Sequence, residues 1–467
     1  MVNFAQAVNG QTTRTTNGMV AHTGTMSACV DLFFKIGAMR GRDQEIIAAF
    51  AAAYAQNPDI AVRIALWARD IRGGAGERNA FKVILKHLDQ QGNTKMVKAL
   101  IDKAPELGRW DDILVRYVVK EHENYAFDKI LDAVERADGL ACKWCPRKGV
   151  VADKLRQHRD WSWRYYRKSI VHGTKVVETQ MCAKDWSSIN FSHVPSIAAN
   201  RYQKAFNRNA AEAYARYREA LIKGDNPAVK VNASAIFPHE VLRGLSNDEV
   251  VTTKQWEALV NNVQGANILP IVDVSGSMTW VRVGGTTFTP MDVAVALGLY
   301  CADKNKGAFK DVMLTFESTP KLFNLTGTLR NKYEQIKRAP WGGSTDVEAA
   351  ISKILEVAIK GKVSQEDMPS TLLILSDMQF NQGCVQHHRS IDMIRGRYKA
   401  AGYKVPQVVY WNLNAADNVP VTYRKDGTAL VSGFNTHVLK AVINNDIEQF
   451  TPEKVMLNAV MVDRYKF

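Results

Sequence analysis

The 467-residue chain has no long apolar run: nothing in it approaches the roughly 20 consecutive apolar residues that a membrane span requires. Its opening, MVNFAQAVNGQTTRTTNG, lacks the apolar core of a secretion signal. A soluble, cytoplasmic protein without a membrane partner is the expectation. Cysteine is scarce as well. Six are scattered at 29, 142, 145, 182, 301 and 384, which makes no disulfide framework, and Cys142 with Cys145 has no second cysteine pair to complete a zinc site. Reduced, mostly buried thiols are expected.

Catalytic signatures are missing too. Residues 73–78, GGAGER, lack the Lys-Ser/Thr ending of a phosphate loop and follow the helical pattern LWARDIR where a strand is required, so a helix C-cap and turn is expected there. NQGCVQHHR sets His387 and His388 near Cys384, but sequence proximity does not supply the spatial pairing a cysteine nucleophile needs. No dense carboxylate cluster of the kind that holds two-metal phosphoryl chemistry is present. A protein that is not an enzyme is expected.

What the chain does have is apolar content, 46%, sufficient for more than one core and so for two or three domains. It also has a formal charge of +14, about +10 of it before residue 265 and about +4 after. A polyanionic partner for the first half follows from that imbalance. From residue 26 to 138 the chain reads as short amphipathic helices, among them ACVDLFFKIGAM, DQEIIAAFAAAYAQ, NPDIAVRIALWARDIR, RNAFKVILKHLDQ, TKMVKALIDKAPEL and RWDDILVRYVVKE, with apolar residues three and four apart. Stacked helix pairs of this length predict an α-solenoid of the HEAT kind.

After residue 265 the rhythm changes. ILPIVDV, DVMLTF, TLLILSD and QVVYWNL are short apolar strands alternating with helical patterns such as MDVAVALGLYCADK, which predicts a mostly parallel sheet covered on both faces. Ligands of such sheets lie outside the carboxyl ends of the strands. Asp273, Ser275 and Ser277 follow the first strand, Thr345 opens a helix in WGGSTDVEA, and Asp377 ends the strand LLILSD. Five hard oxygen donors with few charges and open positions suit an octahedral Mg2+ or Mn2+, which can take a further oxygen from an acidic group on a protein partner. This pattern resembles the metal-ion-dependent adhesion site of the von Willebrand factor A domain, over about residues 265–467, and the resemblance implies an α/β Rossmann-like domain. VRVGGTTFT lengthens the loop after the motif, and the next helix is expected to start with Thr289 as N-cap and Pro290 as first residue.

Residues 141–175 hold ten Lys or Arg against two Asp, interleaved with tryptophan and tyrosine. Cations neutralise phosphates and rings stack on unpaired bases, so single-stranded or structured RNA is the expected partner. The candidate contacts are Lys143, Arg147, Lys148, Arg156, Arg159, Trp161, Trp163, Arg164, Arg167 and Lys168. A helical first half joined to such an α/β second half resembles the Ro/TROVE ring-shaped RNA-binding proteins. RDIRGGAGER (69–78), LGRWDDIL (107–114), CKWCPRK (142–148), FSHVPSIAANRY (191–202) and FPHEVL (237–242) resemble the TROVE-related family DUF2828.

The resemblance implies a multi-domain chain: a flexible segment over 1–25, an all-α HEAT-like (TROVE-like) solenoid over 26–264, and a von Willebrand factor A-like domain over 265–467. It implies a monomer, ring-like if the helical half closes on itself. Three functions are consistent with the residues: a non-enzymatic Ro-like RNA-binding scaffold with a metal-ion-dependent adhesion site, a metal-dependent protein–protein adaptor without RNA, and, more remotely, a metal-dependent nuclease.

Overall fold

The computed structural model describes residues 12–114, 122–264, 266–280, 282–284, 286–316, 320–339, 346–380, 395–415, 417–443 and 450–467. A hairpin, β1 (Thr12–Arg14) with β2 (Val20–His22), comes first. Helices α1 (Ala28–Ile36), α2 (Asp43–Gln56), α3 (Pro58–Arg69), α4 (Ala80–Gln90) and α5 (Thr94–Leu107) follow. Next are α6 (Glu123–Glu135), α7 (Gly139–Trp144), α8 (Val150–His158), α9 (Trp163–Gly173), α10 (Val177–Cys182), α11 (Ser196–Asn209), α12 (Ala211–Lys223), α13 (Pro238–Leu242) and α14 (Glu249–Glu257). The second half runs β3 (Ile268–Asp273), α15 (Ser277–Trp280), α16 (Pro290–Lys304), β4 (Val312–Phe316), β5 (Leu322–Asn324), α17 (Leu329–Lys337), α18 (Val347–Gly361), β6 (Thr371–Ser376), β7 (Gln407–Asn412), β8 (Thr428–Ser432), α19 (Val438–Ile443) and α20 (Pro452–Val460).

The six strands lie in the order β5-β4-β3-β6-β7-β8, all parallel to their neighbours except the edge strand β5, which pairs antiparallel with β4. Strands β3 and β6 are buried along their whole length, as expected of a sheet covered on both faces. Thr289 caps α16 by accepting from the Asp292 amide, and Pro290 opens it, as the sequence indicates. Among the described residues no helix is long and apolar enough to cross a membrane.

Two expectations change. The main core runs across residue 265, because α1 to α5 pack into the same apolar cluster as the sheet. The reason is legible in α1 and α3. Cys29, Val30, Leu32, Phe33, Phe34 and Ile36 are buried all round α1, and α3 buries everything from Ala61 to Arg69 except Arg63. A helix apolar on every side needs cover on every side. The sheet supplies it: Ser432 at the end of β8 donates to the Phe33 carbonyl (3.1 Å) and accepts from the Gly37 amide (3.0 Å), and a Cβ on Gly37 would lie 2.6 Å from the Ser432 backbone. Helices α1 and α3 therefore pack on the sheet half directly, while α2, α4 and α5 pack mainly on helices one and two places along the chain, as stacked pairs do. Helices α6–α9 and α10–α12 with α14 form two further, separate cores.

The second change concerns the segment 1–25. From Thr12 on it is held rather than loose: β1 pairs with β2, His22 exchanges backbone bonds with Val419, and the Thr15 hydroxyl donates to the Phe380 carbonyl (2.5 Å). The helix expected over RWDDILVRYVVKE is a single 3-10 turn at Trp110–Asp112; its residues 115–121 lie outside the described residues.

Candidate functional site

Strands β3 and β6 are neighbours at the centre of the sheet, and the chain leaves β3 toward β4 on one side and β6 toward β7 on the other, so a crevice opens between their carboxyl ends. Asp273 ends β3 in that crevice. Val272 is paired with Leu375, which sets Ser376 and Asp377 beside it. Asp273 is fully buried: one carboxylate oxygen accepts from the Ser275 amide (2.9 Å), the other from the Ser376 hydroxyl (2.5 Å). The Ser275 and Ser277 hydroxyls are 3.0 Å apart, and Ser277 donates to Asp377. The four side chains form one hydrogen-bonded chain from acid to acid.

Burial pushes the Asp273 carboxyl up to about 7, with the Asp377 charge adding to the effect, and burial also raises Asp377. Two desolvated acids that repel one another, bridged by hydroxyls, are a donor set that a hard divalent cation relieves, so Asp273, Ser275, Ser277 and Asp377 fit Mg2+ or Mn2+. Among the described residues no three His, Cys, Asp or Glu side chains gather elsewhere as a metal centre. Thr345 lies outside the described residues, as do Cys384, His387 and His388.

Sequence reasoning missed three parts of this edge. Ser376 is buried and bonds Asp273 directly; its place beside the strand-ending Asp was the available signal. Met378 adopts a left-handed backbone (φ 66°), held by the Ser376 hydroxyl, which accepts its amide (3.0 Å). Gln379 is then gripped by the N-terminal hairpin: its side-chain oxygen accepts from the Thr16 amide (2.8 Å) and its carbonyl from the Asn17 side chain (2.6 Å). Beside the two serines, Trp280 stands 85% exposed.

The basic aromatic segment forms a lobe of its own, α6–α9 around Phe127, Ile130, Leu155, Tyr166 and Ile170. Tyr166 and Ile170, four apart, face inward on α9, which turns Arg164, Tyr165, Arg167 and Lys168 outward. The Tyr166 hydroxyl donates to the Pro146 carbonyl (2.6 Å) and so pins the exposed Arg147–Lys148 turn beside α9. None of these five cations has an ion-pair partner among the described residues. The other candidates are committed elsewhere. Lys143 pairs with Glu178 (3.3 Å), Arg156 with Asp153 (2.7 Å), and Arg159 with Asp128 (3.3 Å) and Asp132. Trp161 and Trp163 are half-buried against the lobe's core, Trp163 with Arg156 and Arg167 over its ring at 5.3 and 5.1 Å. The open ring is Tyr165, 52% exposed and edge-on to Trp161.

Two of the motif stretches, RDIRGGAGER and LGRWDDIL, meet at the junction of helices and sheet. Arg69 and Asp112 form a fully buried ion pair (2.6 Å), Glu77 binds Arg40 (2.8 Å), and the buried Asp70 takes Arg464 and the Tyr465 hydroxyl (3.0 Å) from beyond α20. GGAGER is the expected turn: Ala75 donates to the Trp67 carbonyl (3.1 Å), and a Cβ on Gly74 would lie 1.9 Å from that oxygen.

Comparison with known proteins covers three of the five motifs, RDIRGGAGER, FSHVPSIAANRY and FPHEVL. Residues 15–96 and 151–269 match the family described as Domain of unknown function (DUF2828), and residues 267–464 match the family described as Domain of unknown function (DUF7788). The two matches meet where β3 begins. "Uncharacterized protein L728" of Acanthamoeba polyphaga mimivirus is 29% identical to this chain over 509 aligned residues, spanning 96% of this chain and 86% of its own. The crystal structure of the Deinococcus radiodurans RO (RSR) protein aligns at 15% identity with a TM-score of 0.40, across 91% of this chain and 93% of that one.

Proposed function

We propose that the protein is a non-catalytic RNA-binding scaffold that also holds a divalent cation, Mg2+ or Mn2+, at the carboxyl edge of its sheet. The observation that carries the RNA reading is the outer face of the α9 lobe: Arg147, Lys148, Arg164, Arg167 and Lys168 are exposed and have no acidic partner among the described residues, next to the open ring of Tyr165. Unpaired cations neutralise phosphates and an open ring stacks on a base, a combination suited to unpaired RNA. Support for the cation reading comes from Asp273, Ser275, Ser277 and Asp377, which lie together at one strand edge. Held by two acids and neutral hydroxyls, a metal ion there keeps positions for an incoming carboxylate or phosphate oxygen.

The test is a filter-binding titration with single-stranded and duplex RNA at several salt concentrations. Reversing charge at Arg147, Lys148, Arg164 and Arg167 weakens every RNA about equally and makes log affinity fall less steeply with log salt, by roughly 0.7 per lost single-strand contact. Tyr165→Ala weakens single strands by about 1–3 kcal/mol and duplex by less. Wild-type affinity no tighter than the roughly 10⁻⁴ to 10⁻⁶ M of non-specific binding would refute the RNA reading. The exposed Trp280 beside the metal ligands favours a second reading, protein docking at that edge; capture of a protein partner that is lost on chelation, without RNA, supports it.

A further inference from the structure

A cleft of about 310 Å³ opens between α11, α13 and the loop that precedes α16, lined by none of the α9 residues or the acids and serines of the sheet edge. Its polar lining is Asn200, Arg201, Glu240, Arg243 and Asn247, with the ring of Phe288. The size is at the lower end of small-molecule sites. Arg243 lies flat over Phe288, its guanidinium carbon 3.8 Å from the ring centre, and donates to the Thr287 hydroxyl. His239 meets the same ring edge-on at 4.4 Å. The Asn200 amide is fixed by donating to the Glu240 carbonyl (2.7 Å), which leaves its oxygen beside Gly244, where a Cβ would approach it to 2.9 Å.

Charge around the cleft is unbalanced. Among the described residues Arg201 and Arg243 have no carboxylate partner, while Arg40 pairs with Glu77 and Arg78 stands 3.9 Å from Glu240. Two guanidiniums remain in excess. The field is felt by His239, whose pKa is lowered to about 3 by burial and then by Arg40, Arg243 and Arg78. A site with surplus cations, a preset planar stack and fixed amides suits a ligand with a phosphate and a flat, hydrogen-bonding ring.

We propose that this cleft binds a nucleoside monophosphate unit, with its phosphate held by Arg201 and Arg243, its base on the Arg243–Phe288 stack, and its base edge read by Asn200 and Asn247. The unit is either a free nucleotide or one unpaired nucleotide of a bound RNA. Only the second source rests on the RNA reading above. Guanidinium planes and amide side chains are the usual means of holding splayed bases.

Calorimetric titration of the full chain with the four nucleoside 5′-monophosphates tests it, with inorganic phosphate and the unphosphorylated nucleosides as comparisons. Saturable one-to-one binding of at least one monophosphate is expected, tighter than phosphate or nucleoside alone. Arg201→Glu and Arg243→Ala each weaken it roughly tenfold or more, the effect of one charge-assisted bond. Arg243→Lys, which keeps the charge and the fold but not the flat stack, loses the preference over inorganic phosphate. Charge reversal on α9 leaves monophosphate binding unchanged. If the source is RNA, Arg243→Ala also weakens single-stranded RNA and the monophosphate competes with it; if it is a free nucleotide, neither happens. Absence of monophosphate binding, or phosphate binding as tightly as the nucleotide, overturns the proposal. Intact monophosphate binding in a protein that ignores RNA overturns the RNA reading and leaves this one standing.

Discussion

His239 makes the junction between helices and sheet sensitive to acid, by an amount the structure sets. It sits buried on α13 among Phe237, Phe288 and Phe434, with no hydrogen-bond partner on Nδ1, and faces Arg40, Arg78 and Arg243 with Glu77 and Glu240 behind them. Burial and the three guanidiniums hold its pKa at about 3, against an ordinary value of 6.5. Between those pH values the unfolded chain takes up a proton that the native state refuses. The stabilising effect of the neutral ring is therefore complete above pH 6.5 and is lost as pH falls toward 3, at about 1.4 kcal/mol per pH unit. By pH 5 the loss is about 2 kcal/mol, and its ceiling is about 5 kcal/mol. His239→Phe removes the titration and keeps an aromatic ring in an aromatic site; its fixed packing cost is the same at every pH. Urea unfolding of both proteins between about pH 7.5 and 5 isolates the term, because every other group cancels in the difference. The variant should gain about 2 kcal/mol on the wild type over that range. Parallel pH profiles would refute the assignment of a neutral, field-depressed histidine.

Asp273→Ala should stay folded and lose the rise in thermal stability that Mg2+ gives the wild type, about 2.7 kcal/mol with the ion at a hundred times its dissociation constant; a wild type indifferent to Mg2+ and Mn2+ would remove the metal from the site. Arg464→Ala strands the buried Asp70 with only the Tyr465 hydroxyl and backbone amides, and should cost roughly 2–3 kcal/mol in urea unfolding, whereas Asp70→Asn with Arg464 intact should cost less. Equal losses from the two would mean that the lost ion pair itself, not the stranding of an unpaired buried carboxylate, sets the cost.

Four strands were legible because β3, β4, β6 and β7 are unbroken apolar runs flanked by turns. The remaining strands were not. β8 is five residues followed directly by Gly433, the edge strand β5 is half in water, and the Thr-rich hairpin β1–β2 carries no apolar alternation. The acid and hydroxyl positions of the crevice were legible from strand ends, since the side chain after a buried strand has only the crevice to enter. Its bracing was not, because the contact between Asn17 and Gln379 spans 362 residues. On α9 the spacing of Tyr166 and Ile170 already marks Arg164, Tyr165, Arg167 and Lys168 as outward, and the three-residue spacing on α8 offers Asp153 to Arg156, but nothing in the sequence tells that Arg159 is answered by acids of α6.

The motif acids show where periodicity fails altogether. Asp70 and Asp112 read as parts of helical patterns and Glu77 as part of a turn, with no sign of burial, yet all three lie fully or almost fully buried, each answered by an arginine from a different part of the chain. Buried ion pairs of this kind add little stability over apolar side chains of the same volume, because desolvation offsets most of the attraction. Their effect here is geometric: an ion pair tolerates one arrangement of its partners, where an apolar contact tolerates several. Arg464 ties α3 to the residues after α20, and Arg40 ties the α1–α2 turn to the turn before α4. The backbone of that same α1–α2 turn abuts Gly284, where a Cβ would lie 2.1 Å from the Arg40 carbonyl, and Gly284 lies in the loop that joins the serines of the metal edge to Phe288 of the cleft. The motif residues therefore hold the helices and the sheet in one register, with the Arg40 backbone set against Gly284 of the loop that leads to Phe288.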